Sequence, residues 1–109
     1  MLIMRLNPDL LLGEITTKYG GTTHSSAKVK LAYDCIFIAQ EWFDNPTGYP
    51  IVEGASNNYL KKDLKRYIKN WVRLSKYRGH HGFIPSFIWW FIARAVINWI
   101  VDKIIELYF

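Results

Sequence analysis

Lysine and arginine side chains recur along residues 57–82 at a spacing that could hold phosphate groups. This segment carries eight of the chain's 14 basic residues, and Asp63 is its only acidic residue. If the segment is helical, intervals of three, four and seven residues place these cations around one side of it. Like charges repel there, so the pattern favours an anionic partner, and backbone phosphates are the typical one. The predicted polyanion-binding residues are Lys61, Lys62, Lys65, Arg66, Lys69, Arg73, Lys76 and Arg78.

The distribution of charge makes this segment informative. The chain has 109 residues and a formal net charge of +5, yet residues 1–56 hold more acidic than basic residues and residues 83–109 are balanced. Two interpretations follow: a surface that binds nucleic acid without sequence specificity, or a solvated face that keeps an aromatic-rich domain soluble. A helix-turn-helix is not expected, because the connection before the basic segment is much longer than the turn of that motif.

A loop rich in glycine and threonine is a second candidate for anion binding. Its free amides and hydroxyls precede a predicted helix and could hold a phosphate. The loop residues are Gly21, Thr22, Thr23, His24 and Ser25. The loop lacks the Gly-Lys-Ser/Thr ending of a P-loop and follows no predicted strand, so a turn with a helix cap is the simpler interpretation.

The remaining reactive side chains predict no catalytic residue, no metal site and no cofactor. His80 and His81 are adjacent and therefore point in different directions, and no histidine spacing resembles a zinc site. Cys35 falls among apolar residues at helical spacing, where a thiol packs as a small hydrophobe. A single cysteine excludes an internal disulfide and fits a reducing compartment. Because no secretory signal pattern is seen, we expect a cytoplasmic location.

Two helices are predicted before the basic segment. The first runs from about Pro8 to Tyr19, because Asn7 is a favourable cap, proline suits the first turn and two glycines follow. The second begins at Ser25 or Ser26 and runs to about Phe43, with apolar residues recurring at helical spacing. A connection of roughly a dozen residues, long for a loop, then extends to Ser56.

Two further helices complete the predicted fold. The third runs from about Asn58 to Tyr77, and the fourth begins near Pro85 or Ser86 and continues to the end of the chain. The apolar stripe of the third helix consists of Leu60, Leu64, Tyr67, Ile68, Trp71 and Val72. With no repeat and no convincing pair of strands, residues 1–109 are expected to form a single all-α domain, a small four-helix arrangement with a very apolar last helix.

The last predicted helix is apolar over most of its circumference. Arg94 interrupts the apolar run too early for a membrane span, and it begins a narrow polar stripe that recurs every four residues. Such a helix needs burial on several sides, either within the chain, in a homo-oligomer or in a membrane surface. We expect self-association, because the helix is rich in the aromatic residues that are enriched at interfaces: Trp89, Trp90, Trp99, Tyr108 and Phe109. The predicted interface residues are Trp89, Trp90, Ile92, Trp99 and Ile100.

These patterns together indicate a non-enzymatic helical module for binding and assembly. The basic helix would contact a polyanion, and the last helix would join copies of the chain. Two alternatives remain open. One is a peripheral protein on an anionic membrane surface, and the other is a small enzyme with a phosphate-binding loop at Gly20 to Ser26.

Overall fold

Four α-helices and no strand are found in the computed structural model, which describes residues 5–44, 56–74 and 84–109. The helices are α1 (Pro8–Tyr19), α2 (Ser25–Asp44), α3 (Asn57–Leu74) and α4 (Ser86–Tyr108). The all-α prediction is confirmed, and the predicted helix ends agree with the structure to within a residue where they are described. The predicted long loop between α2 and α3 lies outside the described residues, as does the predicted extension of α3 to Tyr77.

Local signals set both ends of α1. The Asn7 side chain accepts hydrogen bonds from the amides of Asp9 and Leu10, so it caps the free N–H groups of the first turn. At the other end, a Cβ atom on Gly20 would approach within 2.5 Å of the Thr16 carbonyl oxygen. Gly21 follows with a φ of 76°, in the left-handed region that favours glycine. These residues end α1 and turn the chain back into α2.

The core is built around α2 and α4. α2 packs against the other three helices, and α4 packs against both α2 and α3. Several side chains of these two helices are completely buried: Leu31, Ala32, Cys35, Ala39, Trp42, Ala93, Ile97, Ile100, Val101, Ile104 and Ile105. Much of the apolar surface of α4 is therefore covered within one chain. Across the part of the chain that the structure describes, no helix combines the length and apolar character needed to cross a membrane.

α3 runs antiparallel to α4. Lys65 in the middle of α3 pairs with Asp102 in the last turns of α4, and Arg73 at the end of α3 lies over Trp90 in the first turns of α4. Its buried side begins with Leu60 and Leu64 and shifts towards Ile68 and Val72. The expected burial of Trp71 is wrong: this side chain is 38% exposed. The buried positions rotate around α3 from Leu60 and Leu64 to Ile68 and Val72, so Trp71 lies about 100° from Val72, the last of them.

Candidate nucleic-acid interface

Six of the eight predicted polyanion-binding residues lie within α3. Three of them are exposed, and three are half-buried beside the core. The exposed ones are Lys62, Arg66 and Arg73, and the half-buried ones are Lys61, Lys65 and Lys69. The remaining two, Lys76 and Arg78, lie outside the described residues.

Carboxylates of the same chain hold two of these cations. Lys65 Nζ lies 2.9 Å from Asp102 Oδ1 on α4, and Arg66 Nη2 donates a hydrogen bond of 2.6 Å to Asp63 Oδ1. Asp63 is buried and also accepts a hydrogen bond of 3.1 Å from Trp42 Nε1, which ties α3 to α2. Lys65 therefore helps to hold α3 against α4, whereas the ion pair of Arg66 lies within α3 itself.

Arg94 of α4, which was not among the predicted polyanion-binding residues, adds a cation to this surface. Burial lowers the pKa of the Lys69 ammonium, and repulsion from Lys65 and from Arg94 lowers it further. Arg94 is exposed, and its repulsion of Lys69 places it within electrostatic range of α3. We call Lys65, Lys69 and Arg94 the cationic cluster. Asp102 offsets part of the mutual repulsion within this cluster through its ion pair with Lys65, and a bound anion would offset more of it.

Two phenyl rings of α4 are unusually exposed. The Phe87 side chain is 77% exposed and that of Phe91 is 70% exposed. Helical spacing places both on the face of α4 that carries Arg94. A signal for them existed in the sequence, because the polar stripe that begins at Arg94 extends backwards through these two positions. Nearby, the guanidinium of Arg73 lies 5.6 Å from the centre of the Trp90 ring, a cation–π contact between α3 and α4.

The loop from Gly21 to Ser25 has the geometry of a turn. The Thr22 hydroxyl donates to the Tyr19 carbonyl at 2.6 Å, and the Ser25 amide donates to the Thr22 carbonyl at 3.1 Å. Two of the groups that an anion would need are thus used inside the loop. Thr23 and His24 are exposed, and His24 has a φ of 57°. Anion binding by this loop stays a prediction.

The reactive side chains of the described residues do not converge on a site. Cys35 is fully buried, and this burial raises the pKa of its thiol, with a smaller contribution from Asp34. The sequence interpretation of Cys35 as a core residue agrees with this position. Within residues 5–44, 56–74 and 84–109, no three His, Cys, Asp or Glu side chains are grouped so that they could hold a metal ion.

The predicted interface residues of α4 are largely used inside the chain. Ile100 is completely buried, and Trp89 is 7% exposed. Trp99 is partly buried, with its ring edge-on to Tyr19 of α1. Trp90 and Ile92 are also partly buried against the core. Self-association stays a prediction, and the side chains of the first turns of α4 that remain most available for it are Phe87 and Phe91.

Comparison of the chain with known protein families, with curated proteins and with solved structures found no match.

Proposed function

We propose that this chain is a non-enzymatic helical module that binds the phosphate backbone of nucleic acid without sequence specificity. The proposal is supported by the six cations of α3, to which α4 adds Arg94, an exposed cation within electrostatic range of Lys69. Among the described residues, only Asp63 and Asp102 form ion pairs with any of these seven side chains. The surface therefore keeps a large excess of positive charge.

The unpaired cations set the expected strength and salt dependence of binding. Five of the seven have no ion pair with another described residue, and these are Lys61, Lys62, Lys69, Arg73 and Arg94. Each phosphate that a cation neutralises releases counterions, which lowers the logarithm of the affinity by about 0.7 per tenfold increase in salt on a single strand. If all five contact phosphates, the slope on a single strand is about −3.5.

Two matched double variants test the proposal. Lys62→Gln with Lys69→Gln removes two cations from the proposed surface. Lys18→Gln with Lys30→Gln removes the same charge from α1 and α2, where both residues are exposed. Affinity for a fluorescent oligothymidine strand is measured by anisotropy over a series of salt concentrations. The first variant should reduce the steepness of the salt dependence by about 1.4, and the second should leave it unchanged.

Equal salt slopes for the two variants would contradict the proposal, because binding would then depend on net charge and not on this surface. Circular dichroism serves as the control for folding. None of the four substituted residues is part of the buried core, so both variants are expected to keep the helical spectrum of the wild type.

A further inference from the structure

The exposed rings of Phe87 and Phe91 continue the positive surface. The two residues are separated by one helical turn, and Arg94 follows three positions later on the same face of α4. Arg94 belongs to the cationic cluster with Lys69. Two apolar rings thus project into solvent beside groups that suit phosphates. This juxtaposition is what a nucleic-acid strand requires when its bases and its backbone are bound together.

Burial elsewhere in α4 makes these rings distinctive. Trp89 packs into the core, and Trp90 is covered by the Arg73 guanidinium. The rings of Phe87 and Phe91 are left open over most of their surface. Because a phenyl face stacks on any base, such rings add affinity without demanding a sequence. The cations beside them provide the charge complementarity that an isolated apolar patch would lack.

We propose that Phe87 and Phe91 stack on unpaired bases, so that the chain prefers single-stranded to double-stranded nucleic acid. This inference rests on the proposed function. Four residues of α-helix separate the two rings by about 6 Å along the axis. Neighbouring bases within a duplex strand are only about 3.4 Å apart and are already stacked on one another. A flexible single strand can spread its bases to meet both rings, whereas an intact duplex cannot.

The test replaces both rings while keeping their apolar character. Phe87→Leu with Phe91→Leu removes the aromatic faces and retains bulky apolar side chains. Phe37→Leu is the matched control, because Phe37 is 49% exposed on α2 and lies on the side of that helix away from its buried residues. Each protein is titrated with an oligothymidine strand and with a duplex of the same length, at the same salt concentration.

The expected result is a loss confined to the single strand. The wild type should bind oligothymidine more tightly than duplex, and each lost stacking contact should lower that affinity by about 5-fold to 150-fold. The affinity for duplex and the salt slope should stay unchanged in the Phe87→Leu, Phe91→Leu variant. The Phe37→Leu control should match the wild type with both ligands.

Other outcomes overturn the inference in distinguishable ways. Equal binding of strand and duplex, unaffected by the leucine variant, would refute stacking and leave the proposed function intact. No salt-dependent binding to either ligand would refute the proposed function itself. Binding to phosphatidylserine vesicles that survives in the leucine variant but not in Phe87→Ser with Phe91→Ser would instead assign the rings to a lipid surface. Dimerisation in light scattering that survives in the leucine variant but not in the serine variant would assign the two rings to contact with a second copy of the chain.

Discussion

Substitution of Asp63 by alanine should destabilise the chain by about 2 kcal/mol, because this carboxylate is the buried link between α2 and α3. Asp63 is 6% exposed and accepts hydrogen bonds from Trp42 and Arg66. A buried donor that loses its acceptor costs about 1–3 kcal/mol, and this applies to the indole N–H of Trp42. The Arg66 side chain is 74% exposed, so water solvates the freed guanidinium and its loss adds less than about 1 kcal/mol.

Urea unfolding followed by far-ultraviolet circular dichroism measures this loss. With the slope of a small domain, 2 kcal/mol corresponds to a shift of the midpoint by roughly 1 M. Asp63→Asn keeps an oxygen that can accept from Trp42, so it should cost about 1 kcal/mol. Asp44→Ala is the control, because Asp44 pairs with Arg5 at 3.3 Å between side chains that are 46% and 71% exposed.

The exposed Arg5–Asp44 ion pair should contribute less than about 0.5 kcal/mol to the free energy of unfolding, so Asp44→Ala should cost little. If Asp63→Ala and Asp44→Ala lowered the free energy of unfolding equally, the assignment of Asp63 as an anchor of α3 would be refuted. An unchanged dependence of the free energy of unfolding on urea concentration would show that all variants expose the same surface area when they unfold.

Further predictions concern two glycines, Cys35 and Asp102. Gly13→Ala should raise the free energy of unfolding by up to about 1 kcal/mol, because open space surrounds this helical position. Gly21→Ala should lower the free energy of unfolding by about 1–2 kcal/mol, because Gly21 has a positive φ. Thermal unfolding of both variants and the wild type measures these changes. The Cys35 thiol should react with a disulfide reagent only after unfolding. The pKa of this thiol is higher in the folded chain than in the unfolded chain, where it is about 8.5. The resulting contribution to stability is complete below that pH and declines as the pH rises above it, which urea titrations at several pH values should show. Asp102→Asn should release Lys65 for phosphate contact and steepen the salt slope on oligothymidine by about 0.7, as measured by anisotropy.

The helices were predictable because their signals are local. Asn7 caps α1 in the structure as its side chain predicts, and Gly20 and Gly21 end that helix for steric reasons that depend only on nearby backbone. Helical spacing likewise places Cys35 on the buried face of α2. None of these inferences needs information about which helices are neighbours.

The parts that the sequence interpretation missed depend on how helices meet. Lys65 pairs with Asp102, and Arg94 approaches Lys69, only because α3 and α4 are antiparallel in one particular register. Residue type alone does not determine that register. Residue type also fails to determine the position of Trp89: tryptophan is common at interfaces, but this side chain packs inside the chain.

Exposure of aromatic residues was the other feature that needed the structure. An apolar segment as rich in aromatics as the start of α4 indicates burial, yet Phe87 and Phe91 project from the face that carries Arg94. Trp71 is also more exposed than its position in the apolar stripe of α3 predicts. Burial depends on where neighbouring helices end, and periodicity within one helix does not report this.

The salt dependence of oligothymidine binding by the wild-type chain tests the proposed phosphate contacts without any substitution. Anisotropy titrations are made over a range of salt concentrations at neutral pH, with light scattering to establish the number of chains per complex. The logarithm of the affinity should fall linearly with the logarithm of salt concentration, with a slope of about −3.5 per chain. Undetectable binding at low salt, or an affinity that does not change with salt, would contradict the proposed phosphate contacts.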